Sequence, residues 1–271
     1  MTEKETQLRF SRMEKLVGAA GLTVLRQARI AVVGVGGVGS FVVEALARAG
    51  VGWLVLIDHD QVDLSNTNRQ LHALTGNYGR PKVEVMAERV RAINPESIVV
   101  PWQIFVGKEN LPSVLHGDLT YIVDAIDTVT AKIALIQYAL EREIPVISAM
   151  GAGNKLDPLA LKVADISKTH TCPLAKAVRK GLRDSGITTG VKVVFSTEPA
   201  VRVQEETAVA PPAGSGCTSC PRASAAETCG CPRQRPTPGT ISYMPSMVGL
   251  VVAAEVIRDL LGLERRSEKG G

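Results

Sequence analysis

Residues 56–70 read LIDHDQVDLSNTNRQ: three apolar residues give way to Asp58, His59, Asp60 and Asp63, then to Ser65, Asn66, Asn68, Arg69 and Gln70. That density of hydrogen-bonding side chains, where a strand leaves its sheet, exceeds what a turn needs. Upstream, Gly34, Gly36 and Gly39 fit G-x-G-x-x-G, with Gly37 as a fourth glycine. Glycine lets the backbone approach a phosphate closely, and the helix that follows offers unpaired N–H groups and a positive dipole end. Asp58 closes the next strand, about 20 residues on, where a carboxylate grips ribose hydroxyls. A glycine turn serving only packing is the plain alternative, and the strand before it, the helix after it and Asp58 argue against that.

Two chemistries use such a turn: a nicotinamide or flavin oxidoreductase seats a pyrophosphate there, and a nucleotidyl transferase seats ATP. The 58–70 stretch separates them, because a dehydrogenase needs one acid at that strand end and has no task for Asp60, Ser65, Asn66, Asn68, Arg69 and Gln70 together. Attack at the α-phosphorus of ATP calls for cations on the triphosphate and a carboxylate on Mg²⁺, since charge accumulates on the phosphoryl oxygens and on pyrophosphate. Arg69, Lys82 after Gly79-Arg80-Pro81, and Asp127 after the strand at 121–125 are the candidates. Each has a plainer role: Arg69 as a loop clamp, Lys82 as a solvated helix start, Asp127 as an N-cap for the helix near Thr130.

The elements that must position these residues follow from hydrophobic period. Strands are expected at Arg29–Val33, Trp53–Ile57, Ile98–Ile104, Tyr121–Ala125 and Val146–Met150, alternating with helices at Val38–Ala49, Lys82–Ile93 and Thr130–Glu143. That alternation predicts an α/β, Rossmann-like fold, a mostly parallel sheet with helices on both faces. Beyond Gly153 the rhythm changes. Leu161–Ile166 and Val191–Ser196 read as strands flanking a basic helix at Pro173–Arg183, and Pro245–Leu261 as a closing apolar helix with Gly262 as its C-cap, a C-terminal strand–helix extension. Between them lies a long Pro-, Gly-, Ser- and Cys-rich loop over 197–239.

At 271 residues the chain buries a substantial core, and its net charge of +4 permits an anionic partner without requiring one. The excess is local: from Lys168 to Lys192 there are six Lys or Arg against one acid, Asp184. The N-terminal stretch lacks the apolar core of a secretory signal, so a cytoplasmic protein is expected. The apolar run Met247–Ala254 is too short to span a bilayer, which takes roughly 20 residues, leaving peripheral membrane association as the weaker reading of that segment.

RFSR (9–12), VVGVGGVGS (32–40), DHDQVDLSNTNRQ (58–70), GRPK (79–82), INP (93–95) and VDAIDTVTAK (123–132) together resemble the ubiquitin-activating-enzyme superfamily of ThiF/MoeB-type adenylyltransferases. The resemblance implies that Gly34, Gly36, Gly37, Gly39, Asp58 and Asp60 bind the nucleotide, with Asp58 on ribose. It implies Asn66, Arg69 and Lys82 on phosphates, Asp127 on Mg²⁺, and a homodimer in which Arg12 reaches the γ-phosphate in the neighbouring subunit; the plain role for Arg12 is an exposed residue on an N-terminal helix. Farther on, 164–183, 191–201 and 238–262 look like the tRNA threonylcarbamoyladenosine dehydratases. These are expected to adenylylate the threonyl carboxylate of a modified adenosine in tRNA, then cyclise it with loss of AMP, an internal nucleophile closing the ring because it is already held near the acyl carbon. The chain then reads as one domain over 1–271: an ATP-binding half (1–153), a tRNA-facing half (154–196 and 240–262) and the Cys-rich loop (197–239). Lys176, Arg179, Lys180 and Arg183 would form a phosphate-binding face for tRNA, and a cysteine desulfurase with its sulfur-acceptor system is a further candidate partner.

Four of the five cysteines lie in the long loop, as Cys217-x2-Cys220 and Cys229-x-Cys231. Paired thiolates suit Zn²⁺, with an iron–sulfur cluster second and a metal-free, redox-labile loop as the alternative; the one-residue gap departs from the usual zinc spacing. Cys172, before Pro173 at a helix start, is either an acyl acceptor or a capping and packing residue. Competing functions are activation of the C-terminal glycine of a ubiquitin-like sulfur carrier, a nicotinamide-dependent oxidoreductase, and a redox or metal-sensing binding protein.

Overall fold

A computed structural model describes residues 3–202 and 238–263, with side chains from Leu8 onward. Helix α1 (Glu3–Gln27) bends at Gly18, whose φ of 71° and ψ of 171° are not helical. There follow β1 (Arg29–Val33), α2 (Gly39–Arg48), β2 (Trp53–Ile57), α3 (Lys82–Ile93), β3 (Ile98–Trp102), a short α4 (Leu111–Val114), β4 (Tyr121–Asp124), α5 (Val129–Glu141) and β5 (Val146–Ala149). The second half adds β6 (Leu161–Asp165), α6 (Pro173–Asp184), β7 (Lys192–Ser196) and α7 (Tyr243–Leu260).

The strands form one seven-stranded sheet in the order β3-β2-β1-β4-β5-β7-β6, parallel except where β6 runs antiparallel to β7. Because successive strand residues point to opposite faces, Ile30 and Val32 of β1 join a core with α2, α3 and α7. Ala31 and Val33 join a second core with α4 and α5. A third core packs α6 against β7. Strand order reverses direction around β1 and β4, and a doubly wound sheet opens a crevice at its carboxyl edge at that point.

The strand expected over Ile98–Ile104 ends at Trp102: Pro101, which has no N–H to donate, lies on the edge strand, and a bond from Ile104 N–H to the Trp102 carbonyl turns the chain (3.1 Å). The apolar segment Met247–Ala254 turns Val248, Gly249, Val252 and Ala253 into the core. A Cβ on Gly249 would stand 2.5 Å from the Val38 carbonyl oxygen, so glycine there sets how closely α7 lies on α2. Among the described residues no helix is long and apolar enough to cross a membrane.

Candidate nucleotide-binding site

A cleft of about 710 Å³ opens at the carboxyl edge of the sheet, lined by the ends of β1, β2 and β4 and by the polar loop. The glycine turn has two parts. Gly34 holds φ +88°, and a Cβ on it would lie 2.6 Å from the Ala125 carbonyl oxygen; a Cβ on Gly39 would meet the Gly34 carbonyl at 1.8 Å. These two glycines close the turn onto itself and onto β4, while Gly36 and Gly37 line the cleft. Asp58 stabilises this shape from the next strand: the Val35 N–H donates to its Oδ2 (2.7 Å) and the Asp60 N–H to its Oδ1 (2.9 Å).

The polar loop is built on a capped 3-10 turn, Leu64–Asn66. Asp63 accepts from the Ser65 N–H (2.8 Å) and hydroxyl (2.5 Å), and Asn66 Oδ1 accepts from the Asp63 N–H (3.1 Å), a reciprocal capping box. The Ser65 hydroxyl and N–H hold the Asp63 carboxyl below the usual carboxylate range. Arg69 follows, its guanidinium donating to the Ser65 carbonyl (2.8 Å) and to Asn68 Oδ1 (3.0 Å). Asn68 in turn donates to the Thr240 carbonyl (2.9 Å), joining the loop to the chain's second half.

Lys82 is positioned by backbone. Residues 60–62 run against 79–82 through bonds from the Val62 N–H to the Arg80 carbonyl, the Gly79 N–H to the Val62 carbonyl and the Lys82 N–H to the Asp60 carbonyl. Its buried ammonium then meets Asp60 Oδ2 at 2.6 Å. Lys82 is therefore a lysine held inside the cleft wall, not a solvated helix start. Behind it His72 is 1% exposed, neither ring nitrogen has a partner among the described residues, and burial together with the Lys82 charge pushes its pKa down to about 4.

Asp127 is exposed at the cleft on the turn after β4. It is not the N-cap: Thr128 occupies that position, and no side chain caps α5. Among the described residues the Asp127 carboxylate accepts one bond, from the Thr128 hydroxyl at 3.3 Å, which leaves oxygen lone pairs for a hard cation that also binds phosphates. Asp58, His59 and Asp60 also cluster, with ligand atoms within 4.8 Å of one another. Their charge is already matched, however, by Lys82 on Asp60 and by backbone donors on Asp58. Of these carboxylates, Asp127 therefore has the most oxygen lone pairs left for a cation.

The structure thus brings Gly34, Gly36, Gly37, Asp58, Asp60, Asn66, Arg69, Lys82 and Asp127 around one cleft. Arg12 is exposed on α1 and does not line it. Cys217, Cys220, Cys229 and Cys231 lie outside the described residues. Cys172 is 4% exposed among Met150, Ile166 and Val178, a packing position. The basic face of α6 is narrower than expected, since Arg179 turns inward and donates to the Thr169 carbonyl (2.6 Å) and hydroxyl; Lys176, Lys180 and Arg183 remain exposed. Lys132, to which no role was assigned from the sequence, is fully buried on Asp124 at 2.8 Å. The signal was its place among Leu135, Ile136 and Ala139, at the helical spacing of the core-facing stripe.

The model of the ThiF family matches residues 10–270. The chain is 44% identical over 252 residues to the tRNA threonylcarbamoyladenosine dehydratase of Bacillus subtilis, covering 93% of this chain and 94% of that protein. It is 44% identical over 205 residues to the protein of the same name from Escherichia coli, covering 73% of this chain and 76% of that one. The crystal structure of E. coli tRNA N6-threonylcarbamoyladenosine dehydratase in complex with ATP superposes with a TM-score of 0.79 at 35% identity, covering 94% of this chain and 95% of that chain. Its complex with AMP gives 0.80 at 36%, with the same coverage.

Proposed function

This chain belongs to the ThiF family, and we propose that it is an ATP-dependent tRNA threonylcarbamoyladenosine dehydratase. The observation that carries the reading is the single cleft that gathers the glycine turn, Asp58, Asn66, Arg69, Lys82 and Asp127 at the carboxyl edge of the sheet. The likeness to a dehydratase crystallised with ATP and with AMP supports it.

In this reading the glycine turn and Asp58 seat the nucleoside and its first phosphate, while Asn66, Arg69 and Lys82 bind the phosphates with hydrogen bonds and fixed charge. Mg²⁺ would sit at Asp127 and neutralise part of the triphosphate charge. A carboxylate oxygen of the modified adenosine attacks the α-phosphorus, pyrophosphate leaves, and an acyl adenylate forms. An internal nucleophile of the same substituent then attacks the acyl carbon, AMP departs with the bonding electrons, and the nucleophile's proton passes to solvent. No protein thioester is required, in keeping with the burial of Cys172.

The dimer belongs to the same proposal. Arg12 lies between Leu8 (66% exposed) and Leu16 (85% exposed), one helical step to each side, so the face that carries the arginine also carries apolar surface suited to a second copy. The exposed Lys176, Lys180 and Arg183 on α6 supply charge for tRNA phosphates. A metal held by Cys217, Cys220, Cys229 and Cys231 is tested by metal analysis of protein purified without chelator. The activity is tested by incubating tRNA that carries threonylcarbamoyladenosine with the protein, ATP and Mg²⁺, and analysing its nucleosides by mass spectrometry. Conversion to the cyclic form is expected, and an unchanged nucleoside with ATP intact would reject the reading.

A further inference from the structure

Asp124, Lys132 and Ser148 are each 0% exposed, directly beneath the turn that carries Asp127. Lys132 Nζ donates to Asp124 Oδ2 (2.8 Å), to Ser148 Oγ (3.2 Å) and to the Ala149 carbonyl (3.0 Å), which uses all three ammonium protons. The Ser148 hydroxyl donates to the same carboxylate oxygen (2.6 Å). The other oxygen, Asp124 Oδ1, accepts from the backbone N–H of Ile126 (3.1 Å). One carboxylate therefore joins the end of β4, the first turns of α5, the end of β5 and the Ala125–Ile126 peptide.

Stability alone does not call for this cluster. Dehydrating a lysine and an aspartate costs several kcal/mol per ion, and apolar residues of similar volume in place of a buried ion pair are often neutral or stabilising. What apolar side chains cannot supply is a directional acceptor for the Ile126 N–H. The same short turn faces the glycine loop, with the Ala125 carbonyl 2.6 Å from where a Cβ on Gly34 would stand. A shift of this turn would therefore move the Asp127 carboxylate relative to Gly34.

We propose that Asp124, Lys132 and Ser148 act as positioning residues, holding the Ala125–Thr128 turn so that Asp127 faces the triphosphate at a fixed distance from the glycine loop. The proposal rests on the reading of Asp127 given above. It divides the cluster's work into two parts: the bond from Ile126 N–H to Asp124 sets the turn, and Lys132 with Ser148 sets the carboxylate.

Two paired variants separate positioning from charge. Asp124→Asn with Lys132→Met removes both charges but keeps a side-chain oxygen for the Ile126 N–H; Asp124→Val with Lys132→Met removes the charges and the acceptor. Each is examined by thermal unfolding and by calorimetry with ATP and Mg²⁺ and with AMP alone. The expected result is that both variants fold and bind AMP as the parent does. The valine pair should lose about tenfold to a hundredfold in Mg²⁺-dependent ATP affinity, the range seen when supporting contacts of metal ligands are removed, and the asparagine pair should keep most of it. Equal behaviour of the two pairs, whether both intact or both impaired, would overturn the proposal. Should the valine pair fail to fold, Ser148→Ala decides. It leaves the Ile126 bond in place and loosens only the carboxylate, so a loss smaller than about threefold but measurable is expected, and a change of zero or of a hundredfold would count against the division. If Asp127→Ala itself leaves Mg²⁺-dependent ATP affinity intact, the reading of Asp127 fails, whatever the paired variants do.

Discussion

In the cleft, Lys82 is held against Asp60 at 2.6 Å and Arg69 against the Ser65 carbonyl at 2.8 Å. On α6, Lys176, Lys180 and Arg183 stand in solvent with no ion pair among the described residues. The two regions use positive charge differently. Cleft cations are oriented before any ligand arrives, so they are ready to meet charge that develops during reaction. Those on α6 are free to follow a flexible polyanion, and salt screens them. Chemistry in the cleft should therefore respond to geometry, and docking on α6 to ionic strength.

The sharpest way to break that contrast is Asp127→Ala. Turnover with modified tRNA is expected to fall on the order of a thousandfold, as when a group aimed at the reacting phosphate is lost, with AMP affinity by calorimetry little changed. A loss of similar size from α6 variants would show that the regions are not separable.

Acid should expose the same difference in stability. His72 is buried neutral behind Lys82, with a pKa of about 4 when folded against 6.5 ordinarily. The unfolded chain therefore takes up a proton that the folded one refuses. Stability is full above pH 6.5 and falls as pH drops from 6.5 towards 4, by up to about 3 kcal/mol. Urea unfolding at pH 7 and pH 4.5 measures it, and His72→Leu should flatten the dependence. An unchanged slope in that variant would remove His72 as the cause.

Arg179→Ala tests the inward residue of the basic helix. It should cost about 2 kcal/mol of stability, the value of bonds from a charged donor, and leave the salt dependence of tRNA binding unaltered. The double variant Lys176→Ala, Lys180→Ala should do the reverse. Stability is kept, tRNA affinity drops severalfold, and the slope of log affinity against log salt shrinks by about 2, near one unit for each phosphate contact. If Arg179 carried the salt response and the lysines did not, the assignment of faces on α6 would be inverted.

Much of the cleft was legible in the sequence because its chemistry is local. The glycine turn, the polar loop and GRPK each sit at a strand end, and the strands announce themselves by apolar runs bounded by turn residues. Arg179 and Lys132 were harder to read. Both are cations at helical positions, where sequence favours solvent, and each has its partner elsewhere: Thr169 ten residues back for Arg179, and Asp124 with Ser148 on two strands for Lys132. Only tertiary packing joins those groups. The end of β3 was missed for a related reason, since Ile98 to Ile104 looks continuous until Pro101 is placed on an edge.

The central claim is that the cleft activates a carboxylate on modified tRNA as its adenylate, and ATP–pyrophosphate exchange tests it most directly. With Mg²⁺ present, exchange that depends on tRNA carrying threonylcarbamoyladenosine, and is absent with tRNA lacking that substituent, is the predicted result. Exchange stimulated only by a ubiquitin-like carrier protein, or tight NADH binding with no exchange under any condition, would contradict it.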